Sequence, residues 1–161
     1  MKIYYKSKIA KWLTFIEGFG TIMLFGAVFT EKESLPERVI EHEKVHDGQY
    51  SDCFGIGLIL MSFFIGIVGW SWWLLAALPI PIFLFYVIYL VECLISLVVN
   101  FVRYLYAKYS RSVMIVDWYD KPYRNSAFEQ QAKALENEYL KPAKERKRYK
   151  PFGWIRFYGK I

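Results

Sequence analysis

Two histidines occur in the 161 residues, and they stand four apart in His42-Glu43-Lys44-Val45-His46. Imidazoles at i and i+4 share one face of an α-helix, so the pair can grip a single metal ion, zinc for this H-E-x-x-H spacing. Glu43 is turned about 100° from His42, the step set by 3.6 residues per turn. It can therefore face a water on that ion without ligating it. The bland alternative is a pair of hydrogen-bonded core histidines with a glutamate between them by chance.

Two imidazoles are too few for a catalytic zinc, which takes three protein ligands and keeps a fourth position open. With no third histidine in the chain, the remaining ligand has to be a carboxylate or a thiolate. Glu129 stands first, because a glutamate on a separate downstream helix can approach the first helix from the side. Glu136 and Glu92 are the fallbacks, and Cys53 lies on the histidine face.

The histidines need a helix, and residues 34–53 supply its signals. Ser34 with Glu37 forms a capping-box pattern, and Pro36 falls in the first turn, where a missing N–H costs nothing. One side of the wheel carries Val39, His42, Glu43, His46, Gln49, Tyr50 and Cys53, and the other carries Glu37, Glu41, Lys44, Gly48 and Ser51. The histidines thus lie away from the most charged face.

The central third of the chain is apolar. Between Phe54 and Val102 there is one carboxylate, Glu92, and none of the chain's 21 lysines and arginines. As helix the block is about 70 Å long, enough for two crossings of a ~30 Å hydrocarbon layer. A soluble domain this small could hardly wrap it. The reading is a membrane hairpin over 54–102, with its turn at Gly69-Trp70-Ser71-Trp72-Trp73 or at Pro79-Ile80-Pro81, and a second crossing over roughly Ile82 to Val102. Seven basic residues precede the block and 14 come after it, which places both flanks in the cytoplasm. A hairpin also returns the chain to the side of His42 and His46.

Residues 1–33 read as a small N-terminal strand or hairpin, with Gly18 and Gly20 at its turn. A short span from Trp12 to Phe29 competes with that reading. An edge strand beside the histidine helix could bind an extended peptide by β-addition. No secretory signal is evident at the start, and two cysteines make no disulfide framework. Residues 103–161 form a cytoplasmic helix and a basic, aromatic tail. Asn125 or Ser126 caps that helix, which runs to about Leu140 before Pro142. Its face of Glu129, Lys133 and Glu136 has the bland reading of a solvated, salt-bridged surface. Beside a membrane hairpin, the tail's basic residues point to anionic lipid headgroups, and nucleic-acid binding is the weaker reading.

His42 to His46 followed by Phe128-Glu129-x-x-Ala132 resembles the gluzincin metallopeptidases, in which a glutamate on a later helix completes the zinc site. More closely, Val39 to His46, Phe85 to Glu92 and Tyr123-Arg124-Asn125-Ser126-Ala127-Phe128-Glu129 resemble a group of short bacterial membrane proteins. Those proteins pair H-E-K-[IV]-H with Y-R-N-x-x-F-E. The resemblance covers about residues 20–140. The apolar length between Gly55 and Pro81 departs from the shorter pattern of that group and leaves the number of crossings open. The resemblance implies Glu129 as third ligand, Zn2+ as cofactor and metal-assisted peptide hydrolysis, with Glu43 moving the proton from water to the leaving amine. Tyr50, Tyr123 and Arg124 are candidates for stabilising the oxyanion, and the same three with Glu136 and Glu92 are candidates for supporting the ligands from behind.

The expectation is a mainly α membrane protein of one domain: a zinc-site helix leading into a transmembrane hairpin, with small N-terminal strands and a C-terminal cytoplasmic helix. Its expected activity is zinc-dependent cleavage of a peptide or protein near the cytoplasmic face of the membrane. The alternative is a non-enzymatic membrane protein whose structural or degenerate metal site organises a partner.

Overall fold

The computed structural model describes residues 1–13, 20–69, 72, 74–110 and 122–158. Gly18, most of the tryptophan cluster after Gly69 and the Val113–Val116 run lie outside the described residues.

A three-stranded sheet opens the chain, in the order β1-β3-β2. β1 (Lys2–Tyr4) runs parallel to β3 (Ala27–Thr30), and β2 (Thr21–Leu24) runs antiparallel to β3 with Leu24 opposite Ala27. The short helix α1 (Lys8–Leu13) comes after β1. The hairpin turn is Phe25-Gly26, not the expected Gly18 and Gly20. Both turn residues have positive φ, 50° and 74°, as a two-residue hairpin requires. Phe25 is held in that conformation from outside: the Tyr86 hydroxyl accepts its N–H at 2.6 Å, and its ring packs edge-on against Phe83 and Tyr86. Gly20 instead precedes β2, where its carbonyl accepts from the Thr30 hydroxyl at 2.8 Å. The described part of the rival Trp12–Phe29 span is mostly strand and hairpin turn.

α2 runs unbroken from Glu37 to Val68, about 48 Å at 1.5 Å per residue, so the histidine helix and the first apolar arm are one rod. Pro36, rather than Ser34, occupies the N-cap, and no side chain caps this end. The Pro36 carbonyl accepts from Val39 and Ile40, and its ring fixes the entering φ. Gly69 ends the helix with φ 75°. After the one-turn helix α3 (Leu74–Ala77), α4 extends from Pro79 to Tyr109. Pro79 and Pro81 sit in its first turn, so they start a helix instead of interrupting one. The two candidate turn sites therefore bracket the real connection.

α4 packs antiparallel along α2. Gly57 is a point of close approach: a Cβ there would lie 2.4 Å from Pro81 Cα. The inner stripe of α4 is Pro81, Phe85, Glu92, Ser96, Asn100 and Ala107, all buried at helical spacing. α5 (Ala127–Leu135) is shorter than expected, with Leu140 falling in a separate 3-10 turn, Glu138–Leu140. Ser126 caps α5 as expected, accepting from the Glu129 N–H at 3.1 Å.

Phe128, fully buried, joins the layers. Its ring meets Phe85 at 4.9 Å and Trp154 at 4.8 Å, within a core that includes Met23, Val28, Leu35 and Cys53. The tail folds back onto the helices: Tyr149 and the Phe152 N–H bond to Asp52, and Tyr158 donates to Glu92. Trp154 is buried and Tyr149 half-buried in this packing, Phe152 and Tyr158 stay partly exposed, and the described basic side chains of the tail are exposed.

Two helical stretches, α2 (Glu37–Val68) and Leu75–Tyr109 (most of α3 together with α4), are long and apolar enough to cross a membrane. Only 11% and 17% of their most apolar stretches is buried, unlike core helices of a soluble protein. The molecule is mainly α with a small N-terminal sheet.

Candidate metal centre

The polar first half of α2 presents His42, Glu43, His46 and Gln49 toward α4 and α5, and hydrogen bonds fix the proton on each imidazole. His46 Nδ1 lies 2.8 Å from Gln49 Oε1. The Gln49 amide cannot turn over, because its Nε2 donates to the Phe128 carbonyl at 3.0 Å and to Gln131 Oε1 at 2.8 Å. Its oxygen must therefore face His46, and Nδ1 carries the hydrogen. His42 Nδ1 lies 3.0 Å from Glu136 Oε2, and the other oxygen of that carboxylate takes Nε and Nη2 of Arg38 at 3.0 and 2.8 Å. Nδ1 is the donor here too.

Both rings consequently turn Nε2 inward. The two nitrogens are 3.1 Å apart. Glu129 Oε1 lies 3.2 Å from Nε2 of His46, and Oε2 lies 3.4 Å from Nε2 of His42. His42, His46 and Glu129 each offer one ligand atom, all within 4.8 Å of one another. Two neutral imidazole lone pairs and a carboxylate repel at such range unless positive charge sits among them. The hollow is built to attract a cation, and a proton is the smallest it can draw. Burial depresses the pKa of His42, but the bond and charge of Glu129, with Glu43 and Glu136 behind them, more than reverse this and raise it. Burial likewise opposes ionisation of Glu129, yet the two histidines outweigh it and hold the carboxyl below the usual carboxylate range.

Glu43 is buried on the same helix. Burial raises its pKa against the opposing pull of His46 and His42, and the charge of Glu129 adds to the rise. A carboxylate so shifted is better matched to taking and returning a proton near neutrality.

The remaining candidates serve elsewhere in the fold or around the ligands. Glu136, a fallback ligand and a candidate for supporting the ligands, is buried and orients His42 by accepting from its outer nitrogen. Glu92 accepts the Ala127 N–H at 2.9 Å and the Tyr158 hydroxyl, so it holds the start of α5. Cys53 is fully buried in the core outside the ligand cluster, its thiol pushed up to about 12 by burial, with the charges of Asp52 and Glu92 adding. Tyr50 packs among Phe54, Phe85 and Tyr86. Arg124 is exposed, with its carbonyl taking Lys133 Nζ, and Tyr123 is half-buried in the 3-10 turn before α5.

One contact was not foreseen from the sequence: the Tyr89 hydroxyl donates to Glu129 Oε1 at 3.0 Å. The available signal was periodicity. Phe85, Tyr89, Glu92, Ser96 and Asn100 recur at three- and four-residue steps, a partly polar stripe on an otherwise apolar helix.

Compared with known proteins, the chain matches no protein-family model, no curated protein and no solved structure.

Proposed function

We propose that the chain is a membrane-anchored zinc peptidase that hydrolyses peptide bonds at the cytoplasmic face of the membrane. The reading rests on one observation: both histidines have their outer nitrogens committed as donors, so two bare lone pairs and the Glu129 carboxylate converge on one point. A donor set of two nitrogens and one oxygen suits zinc and leaves a coordination position for substrate or water. When bound there, the ion would acidify water and polarise a carbonyl.

The protein's own groups supply the rest. Glu43 accepts the proton from water and delivers it to the leaving amine. Glu136 and Gln49 keep the imidazoles in the tautomer that ligates, a role whose loss typically weakens metal binding 10–100-fold. An extended peptide has a place to pair on β2, which is an edge strand of the sheet among the described residues and touches α2. The apolar hairpin anchors the chain, its basic flanks keep both ends cytoplasmic, and the exposed basic residues of the tail meet anionic headgroups.

The test is metal content and cleavage together, on full-length protein in nanodiscs. Wild type should hold about one zinc per chain, and His42→Ala, His46→Ala and Glu129→Ala should hold little. Glu43→Gln should keep the metal and lose cleavage of peptide substrates. A zinc-free wild type, or ligand variants that retain zinc, would defeat the metal reading. A Glu43→Gln variant as active in the cell as wild type would favour the non-enzymatic alternative.

A further inference from the structure

We propose that Tyr89 is a positioning residue of the metal centre, binding one oxygen of Glu129 so that the other alone is offered to the ion. The inference rests on the metal reading above and assigns a role to a residue of the apolar helix α4.

Three observations carry it. The Tyr89 hydroxyl donates to Glu129 Oε1, the oxygen 3.2 Å from His46 Nε2, and leaves Oε2, 3.4 Å from His42 Nε2, without that bond. A carboxylate with one oxygen occupied by a phenol O–H is biased toward ligating through the other. Second, the Glu129 backbone is held by other groups. Ser126 Oγ takes its N–H at 3.1 Å, Glu92 takes the Ala127 N–H at 2.9 Å, and Phe128 is locked in the core. Removing the Tyr89 hydroxyl therefore frees the carboxylate without releasing α5. Third, the Tyr89 ring stacks on Phe128, with 6.2 Å between centroids and 7° between planes, so a phenylalanine would keep the same seat. Tyr89 and Glu92 are three residues apart on α4, so one membrane-type helix fixes both the side chain and the helix start of the third ligand.

The experiment loads chelator-stripped wild type and Tyr89→Phe with Co2+ in nanodiscs, recording the visible spectrum and the affinity against a competing chelator. Wild type should give the intense absorption of four-coordinate cobalt. Tyr89→Phe should bind 10–100-fold more weakly and shift to the weaker bands of higher coordination, as both carboxylate oxygens reach the ion. Circular dichroism in excess chelator should match wild type, separating repositioning from misfolding. If Tyr89→Phe misfolds, replacement of Tyr89 by 4-aminophenylalanine, which keeps the ring and puts an N–H donor in place of the hydroxyl, must recover the four-coordinate spectrum. An unchanged spectrum and affinity in Tyr89→Phe overturns the proposal and leaves the metal reading standing. A fall in turnover alone, with affinity intact, also overturns it and makes Tyr89 a donor to substrate. Failure of wild type to bind cobalt removes both readings.

Discussion

His42 and His46 meet at their Nε2 atoms because Glu136 and Gln49 hold the opposite nitrogens. A metal entering that hollow must displace whatever proton His42 carries. Since its pKa is raised above 6.5, the ring is still partly protonated at pH values where a free imidazole is neutral. Affinity should therefore fall about tenfold per pH unit below the His42 pKa, and the fall should begin above pH 6.5. Chelator competition between about pH 5.5 and 8.5 measures it, and a curve flat down to about pH 6 would contradict it. The same pair acts on stability without metal, in two senses. The raised His42 pKa contributes stability at low pH that is lost as pH rises through it. The depressed Glu129 pKa contributes stability at high pH that is lost only as pH falls well below the usual carboxylate range. Much of this centre was legible: the His42–His46 spacing, Glu43 on the same helix, and Glu129 through the Tyr123–Glu129 resemblance. Glu136 was legible only as one of several acidic candidates, because a charged residue at helical spacing from Glu129 looks the same whether it faces water or a buried imidazole. Tyr89 was silent because a tyrosine in an apolar run carries no chemical signature of its own.

At the scale of elements, the sequence located the helices better than their ends. Ser34 and Glu37 make a capping box on paper, but proline at 36 takes the N-cap by fixing the backbone. The sheet hairpin turned at Phe25-Gly26, where the sequence alone favoured the denser glycines upstream. Phe25 holds positive φ only with Tyr86 and Phe83 packed on it, and such tertiary support is invisible in a linear reading. The contact between the two long helices is similarly local. Gly57→Ala would drive a methyl group into Pro81 backbone, so it should lower stability by about 1–3 kcal/mol. Gly66→Ala is the matched control: its Cβ meets nothing within 4 Å, and a helix interior gains about 0.5–1 kcal/mol from the exchange. Thermal unfolding of both variants in one detergent decides the point, and equal shifts would refute the close-contact account.

The whole molecule is asymmetric across α4. Its inner side supports the metal centre, while Val87, Leu90, Leu94, Val98 and Val102 on the outer side are each more than half exposed. The apolar arms are unequal as well. Phe54–Val68 spans about 22 Å, whereas residues 79–102 of α4, free of lysine and arginine, span about 36 Å. Antiparallel packing of Gly57 near Pro81 and His46 near Tyr89 means that the longer arm runs beside the folded lobe for much of its length. Hydropathy showed the apolar block, but it could not show that half of one helix's circumference belongs to the protein. Nitroxides at Leu90, Leu94 and Val98 should report high oxygen and low polar-relaxant accessibility in nanodiscs. Labels shielded from both would mean that protein, not lipid, covers this side.

Tyr89 and Leu90 are adjacent residues, one touching Glu129 of the candidate metal centre and the other more than half exposed on the opposite side of the same helix. Reaction centre and lipid, under the membrane-anchored reading, are thus separated by a single helix about 10–12 Å thick. An extended chain covers that in no fewer than about three or four residues. The thickness acts as a ruler, so a bilayer-held substrate should resist cutting when its scissile bond is moved closer to the membrane than that, and become cleavable as spacer residues are added.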